Sequence, residues 1–323
     1  MPKFLILRFS SIGDVVLTTP VVRCLKQQIK DAEVHYFTKK AFSPVIKHNP
    51  YIDRKFFIED SLSSIIRLLK KEDYDYLIDL HNNLRTFIVK TLLGGKSFSF
   101  DKINFEKWMV VNFKVNPLPQ VHIVDRYMDT LKSFGVMNDD KGLDYFITID
   151  DEKVLQQLPD SHKAGYIGFA IGAKHATKRL PTEKIISICK KTAQPIVLLG
   201  GEEDADRADT IAKAIGSNIY SACGKYALNE SAALVKHATK IITHDTGLMH
   251  IAAAFKKEII SVWGNTIPAF GMSPYLSDAN SKIVEVKNLS CRPCSKLGFD
   301  KCPKGHFKCM KEIDENFLSA NTN

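Results

Sequence analysis

Short apolar runs alternate with amphipathic helical stretches along this chain, and the alternation runs through twice. In the first series the strand-like runs fall at residues 4–7, 33–37 and 76–80, followed by 98–100 and 110–113, and helical periodicity covers 14–29, 61–71 and 124–134. In the second, strand-like runs at 166–170, 195–199, 219–221, 241–243 and 258–263 alternate with helical stretches at 182–191, 205–215, 229–237 and an Ala-rich one ending at 254. Strands alternating with helices of about 10–15 residues imply a parallel, doubly wound sheet. Two series, divided by the polar stretch 150–163, imply two Rossmann-like α/β domains, set at 1–158 and 159–323. A length of 323 residues suits that division, since a domain commonly takes about 150. A cleft between the two domains is the expected site.

Composition narrows the partners. The formal charge of +9 favours anionic ligands, whether nucleotides, phosphorylated lipids or nucleic acid, without choosing among them. No run approaches the roughly 18 apolar residues of a membrane span, and the opening apolar run at 4–7 is too short for a signal peptide. Seven cysteines without such a signal point to reduced thiols and a cytoplasmic chain.

Two corners carry the chemistry. At 241–254 an apolar run stops at Asp245-Thr246-Gly247 and an Ala-rich helical pattern begins at once. A helix N-terminus at the end of a strand offers free backbone N–H groups and a positive dipole end, which suits a phosphate. Gly247 permits close approach of a ligand to the backbone, and Thr246 and His250 share one helix face. The plainer reading is an N-cap followed by a packed His250. The N-terminal corner repeats the pattern: a strand at 4–7, a turn through Ser10, Ser11 and Gly13, and Asp14 at the start of a helix. Asp14 is either a first-turn carboxylate facing the dipole or a general base facing the cleft.

With both corners placed, the chain resembles the lipopolysaccharide heptosyltransferases, the ADP-heptose-dependent enzymes of glycosyltransferase family 9. The resemblance is carried by Arg-Phe-Ser-Ser-Ile-Gly-Asp-Val-Val-Leu-Thr-Thr-Pro at 8–20, by 74–85, by Lys178-Arg179-Leu180-Pro181, and by 244–254 followed by Val262-Trp263-Gly264-Asn265-Thr266, in that order. It implies a GT-B fold, two Rossmann-like domains facing across a cleft, with the acceptor mainly on the first and the donor nucleotide mainly on the second. It also implies inverting, metal-independent transfer of a heptose from ADP-heptose to a lipopolysaccharide core acceptor, with no cofactor. Asp14 matches the catalytic base and Lys178 the phosphate-binding lysine. Asp245 is read as a sugar contact and cap. Thr246, Gly247, Leu248 and His250 match the donor corner, and Glu202 matches the adenosine contact, with Glu203 and Asp204 close enough to blur that alignment.

The chain departs from the family in two places. The corner 168–175 lacks the hydroxyl pair that some relatives place at the phosphate, and Lys174 is the candidate substitute, as a point charge. The residues before Asp245 are Thr243-His244 rather than Ser-Asn. Such changes leave room for another nucleotide sugar, so a different GT-B transferase or a nucleotide-sugar epimerase is the alternative; a basic nucleic-acid-binding protein is more remote, and no nucleic acid is expected as partner. Ser10, Gly13, Arg85 and Arg126 are candidate acceptor contacts, with Lys40 beside them, because an acceptor bearing carboxylates or phosphates calls for bidentate Arg. Such an acceptor also implies peripheral contact with the inner membrane. The amphipathic 61–71 stretch is a candidate for touching it, although a helix packed on its own sheet explains the pattern as well. Cys291, Cys294, Cys302 and Cys309 have the spacing of a structural zinc site, against the alternative of a thiol staple in a loop-rich segment at 291–309.

Overall fold

A computed structural model describes residues 1–59 and 61–321. The chain divides into two units, one of Met1–Ile103 with Val121–Phe146, the other of Asn104–Gln120 with the chain from Ile147 onward. The polar stretch 150–163 therefore lies within the second unit.

The first unit is built on β1 (Lys3–Leu7), β2 (Glu33–Lys39), β3 (Arg54–Ile58), β4 (Tyr76–Asp79) and β5 (Lys96–Ser99), all parallel in the order β3-β2-β1-β4-β5. Central β1 buries Leu5, Ile6 and Leu7 completely. An unbroken apolar run is what a strand covered on both faces requires. Leu5, Leu7, Phe9, Phe37, Leu69 and Val89 meet in the core. Chain order reverses between β1 and β4, so the loops after them part and leave a crevice. The register pairs Leu7 with Asp79, which starts both loops at the same level.

The second unit holds β6 (Ile167–Ala170), β7 (Ile196–Leu199), β8 (Ile219–Ser221), β9 (Lys240–His244), β10 (Ile259–Trp263) and β11 (Lys282–Glu285) in the parallel order β11-β10-β9-β6-β7-β8. Counted from β6 this is the doubly wound dinucleotide-binding order, with its reversal between β6 and β9. Ala170 lies beside Thr243 at that reversal.

Several expectations change. The run 110–113 is no strand but the end of a helix, Asn104–Phe113. Consecutive Val110 and Val111 imitate a strand, yet only Val110 is buried, and Phe105 lies against Trp108 three positions on, a helical spacing. The helix expected over 14–29 is broken into Ile12–Val16 and Thr19–Gln28. Thr18 and Thr19 turn their hydroxyls onto the carbonyls of Val15 and Val16, and Pro20 has no N–H with which to continue the ladder. The 61–71 stretch forms the helix Leu62–Lys70, which buries Ile66 and Leu69 in the first unit's core. It is a helix packed on its own sheet. β3, β11 and the helix Leu84–Leu93 have no counterpart in the sequence reading. Arg85, expected in a loop, stands in the first turn of that helix, which Asn83 and Thr86 open by bonding each other's backbone N–H.

Candidate active site

In the second unit the reversal between β6 and β9 gathers Lys178, Asp245 and the start of the helix Gly247–Ala254. The short turn Ala176–Lys178 follows β6 and puts the Lys178 Nζ 2.5 Å from Asp245 Oδ2. Both side chains are half-buried. Asp245 also accepts from the Thr266 hydroxyl at 3.0 Å. Asp245 therefore does not cap the helix: the capping position is Thr246, and its side chain makes no capping bond either. The first-turn N–H groups of Gly247 and Leu248 thus carry no side-chain cap, an arrangement open to an anion. His250 is 2% exposed, on the packed face of the same helix.

Around this centre the chain is locked in place. Buried His244, the last residue of β9, accepts the Leu180 N–H on Nε2 at 3.0 Å. Burial above all, with Arg207 behind it, pushes this imidazole down to about 3, so it stays neutral and able to accept. His244 thereby ties β9 to the segment carrying Lys178. Lys174 is exposed and has no partner among the described residues. Glu202 follows β7, where doubly wound domains place the acid that meets a ribose. Its two neighbours are otherwise engaged: the Glu203 carboxylate lies over Gly201, and buried Asp204 accepts the Gly201 N–H at 3.2 Å. Asp204 also packs so closely that a Cβ on Gly172 would come within 2.0 Å of its carboxylate. Glu202 itself stays exposed.

The first unit builds its corner on Arg8, at the end of β1. Its guanidinium donates to the Ser10 carbonyl at 2.8 Å, the Leu80 carbonyl at 2.5 Å and the Tyr127 hydroxyl at 2.9 Å, and pairs with Asp14 Oδ1 at 2.7 Å. Burial opposes this charge, but Asp14 and then Tyr127 outweigh it and hold Arg8 above its ordinary value. The other Asp14 oxygen accepts the Ser11 N–H at 3.0 Å and its hydroxyl at 2.8 Å. One fifth of the Asp14 side chain remains accessible. Gly13 is buried within the same short helix. Across the reversal, buried Asp79 pairs with Lys90 at 2.8 Å and accepts the N–H groups of His81 and Asn82, which shapes the loop after β4. Burial, then Arg8 and Lys102, push His81 down to about 4. Arg8, Asp79, His81 and Tyr127 are the members the sequence reading left unassigned. Arg8 had a signal, a cation at the end of an apolar strand before the Asp14 turn; Tyr127 had none, because only tertiary contact brings it there.

The acceptor candidates separate. Arg85 is exposed and has no partner among the described residues. Arg126 is buried, donates to the Asp101 carbonyl at 3.3 Å and lines an open depression of about 420 Å³ with residues 97–101. Lys40 is bound to Glu59 at 3.0 Å on the surface.

The cysteine-rich segment buttresses the corner that holds Lys178 and Asp245. The Thr177 hydroxyl donates to the Phe299 carbonyl and receives the Phe299 N–H. Arg292 donates to the carbonyls of Gly264 and Thr266 and to Glu285. Both sides of the Lys178–Asp245 pair are therefore braced from this segment. Cys291, Cys294, Cys302 and Cys309 are free thiols that act on one another electrostatically, and Cys291 Sγ lies 3.7 Å from His306 Nε2. Burial pushes Cys309 up to about 12. Among the described residues, the group whose ligand atoms all fall within 4.8 Å is a different one, Glu33, His35 and Glu72. Lys3 and Arg54 already pair with those carboxylates, so it is a balanced ion network.

A family model for glycosyltransferase family 9 (heptosyltransferase) matches residues 62–300. The lipopolysaccharide heptosyltransferase 1 of Campylobacter coli is 26% identical over 319 residues, covering 89% of this chain and 92% of that protein. A family 9 glycosyl transferase from Veillonella parvula superposes with a TM-score of 0.80 at 22% identity, over 99% of this chain and 96% of that one. An Escherichia coli heptosyltransferase solved with ADP does so with a TM-score of 0.69 at 20% identity, over 99% and 98%. The fold is GT-B.

Proposed function

This chain belongs to glycosyltransferase family 9, and from that premise we propose that it is an inverting transferase moving a heptose from ADP-heptose to a lipopolysaccharide core acceptor, with Asp14 as the general base. The observation that carries the reading is the half-buried Lys178–Asp245 pair beside the uncapped start of the Gly247–Ala254 helix. That corner offers one cation and several backbone donors to a diphosphate, and a carboxylate oxygen to a sugar hydroxyl. Glu202 holds the adenosine ribose, and Lys174 supplies a second positive charge to the diphosphate. Thr246, Gly247 and Leu248 meet the phosphates with hydroxyl and N–H groups, while His250 supports that corner from its packed side.

In the reaction the acceptor hydroxyl loses its proton to Asp14 as its oxygen attacks the anomeric carbon. The bond to the diphosphate oxygen breaks on the opposite face, and ADP leaves with the electron pair. Arg8 holds one Asp14 oxygen in place, and Ser11 fixes the second. Charge building on the leaving diphosphate meets Lys178 and the helix N-terminus, so the step needs no metal. His81, pushed down to about 4 by burial and by Arg8 and Lys102, is uncharged at neutral pH. Ser10, Gly13, Arg85 and Arg126 hold the acceptor, with Arg85 taking a carboxylate or phosphate of the core. The chain works in the cytoplasm against the inner membrane surface; among the described residues no helix is long and apolar enough to cross a membrane.

The test is Asp14→Asn assayed with ADP-heptose and isolated core lipid in the presence of EDTA. Transfer is expected to fall by a factor on the order of 10²–10⁴, the range of general-base catalysis, while ADP affinity holds. Unchanged turnover removes Asp14 from the base role. Turnover only with a different nucleotide sugar moves the chain to another donor.

A further inference from the structure

The helix Leu84–Leu93 is apolar on two opposite faces. Thr86 and Val89 are buried on one, with Leu93 partly buried beside them against the first unit's core. On the other, Leu84 is 75% exposed, Phe87 61%, Ile88 40% and Leu92 45%. Positions 84, 87, 88 and 92 follow the spacing of a single helical stripe, so these side chains form one continuous ridge and not scattered surface residues. A surface helix in water carries polar residues along that stripe; an apolar one marks a surface with an apolar occupant.

Charge indicates the occupant. The helix Leu62–Lys70, which packs against this one, ends in exposed Arg67, Lys70 and Lys71, and β5 begins with exposed Lys96. None of these four side chains has a hydrogen-bond or ion-pair partner among the described residues. Most nearby carboxylates are engaged within the unit, Asp79 with Lys90, Glu72 with Lys3 and Arg54, and Asp75 with the Lys3 N–H, so exposed Asp73 is left to face the four cations. Unpaired cations flanking an exposed apolar ridge match an anionic bilayer, whose headgroups take the charge while the acyl boundary takes the ridge.

We propose that the Leu84–Leu93 helix docks this chain on an anionic membrane, with Phe87, Ile88 and Leu92 entering the headgroup–acyl boundary. The inference deepens the reading of an acceptor held in a bilayer and rests on it for its biological sense. The ridge begins at Leu84, where the loop after β4 ends, so docking holds the first unit's corner at the membrane surface, where such an acceptor presents its core.

The experiment is cosedimentation of the full chain with vesicles that contain no lipopolysaccharide. Binding is expected to phosphatidylglycerol–phosphatidylcholine vesicles and not to phosphatidylcholine alone, and to weaken as salt rises. Phe87→Ser with Ile88→Ser should lower the partition coefficient at least tenfold with ADP affinity unchanged, which also reports that the variant is folded. Arg67→Gln with Lys71→Gln should weaken binding to the anionic vesicles. Equal partition of wild type and the Ser variant overturns the proposal. So does light scattering that shows a dimer which the Ser variant dissociates, since a second copy would then cover the ridge. Because the vesicles hold no acceptor, their binding stands or falls apart from the transfer reaction: loss of transfer activity with binding intact would sink only the enzymatic reading.

Discussion

Replacing Lys178 by Met keeps most of the side chain's apolar stem and removes its charge. Lys178 Nζ sits 2.5 Å from Asp245 Oδ2, with 16% and 11% of the two side chains exposed, so neither charge is fully screened by water. Two effects add. The diphosphate loses a charge-assisted hydrogen bond, worth about 1.5–3 kcal/mol. Asp245 then faces the diphosphate unneutralised; two like charges about 4 Å apart repel by roughly 1 kcal/mol in water and about 4 at an effective dielectric of 20. Thr266 still donates to Asp245, which holds this second effect toward the lower figure. Together they give about 3 kcal/mol, or an ADP dissociation constant weakened on the order of 10²-fold.

The second effect makes the reasoning testable apart from the first. Asp245→Asn alone removes the anion beside the diphosphate while it loosens Lys178, so ADP affinity should change by less than about tenfold. In Lys178→Met/Asp245→Asn the repulsion is gone, and ADP binding should recover about 1 kcal/mol relative to the sum of the single losses. Calorimetric titration of ADP into the four proteins reads this cycle directly. Additivity within about 0.5 kcal/mol would show that the two residues act independently at the ligand. An unchanged dissociation constant in Lys178→Met would remove the lysine from the diphosphate altogether. On the proposed contact between the carboxylate and the donor sugar, Asp245→Asn should also lower turnover of ADP-heptose more than it weakens ADP.

Acid should destabilise the fold through His244. Its folded value of about 3 lies below the ordinary 6.5, so between those limits the unfolded chain takes up a proton that the folded chain refuses, and stability falls as pH drops. At pH 5 this costs about 2 kcal/mol relative to pH 7.5, read as a shift in urea midpoint, and His244→Asn should flatten that part of the profile; an unchanged slope refutes the assignment. Thiol reactivity should divide the cysteines. Burial pushes Cys189, Cys223 and Cys309 up to about 12, so at pH 8 only about one in 10⁴ of each is thiolate, and alkylation of the native chain should reach Cys291 and Cys302 well before them. If zinc protects Cys291, Cys294, Cys302 and Cys309 together, in one-to-one stoichiometry, the segment is a structural metal site and not a thiol staple.

Much of this protein was legible from its residues alone, for reasons that are local. The buried strands of both sheets betray themselves because a strand covered on both faces must be largely apolar, as 4–7 and 196–199 are throughout. The corners at Asp14 and Asp245 are legible because a strand that stops at small polar residues before a helix leaves few geometries for the backbone. Where the local signal is divided, reading fails. Val110 and Val111 imitate a strand inside a helix, and the Leu84–Leu93 helix escapes notice because apolar residues on both faces erase the periodicity that marks an amphipathic one. β3 and β11 go unread because each mixes charged and apolar side chains, Arg-Lys-Phe-Phe-Ile and Lys-Ile-Val-Glu.

By itself the sequence determined the two doubly wound sheets, the two corners and the family that shares them, since each of these is written in neighbouring residues. Only the tertiary structure decided what those corners contain. Lys178 meets Asp245 across 67 positions, Arg8 meets the Leu80 carbonyl across 72 and Tyr127 across 119. Contacts at such separations follow from strand order, and strand order follows from how whole helices and sheets bury their apolar faces together. No window of neighbouring residues holds that information, so the partners of each charge become known only once the sheets are assembled.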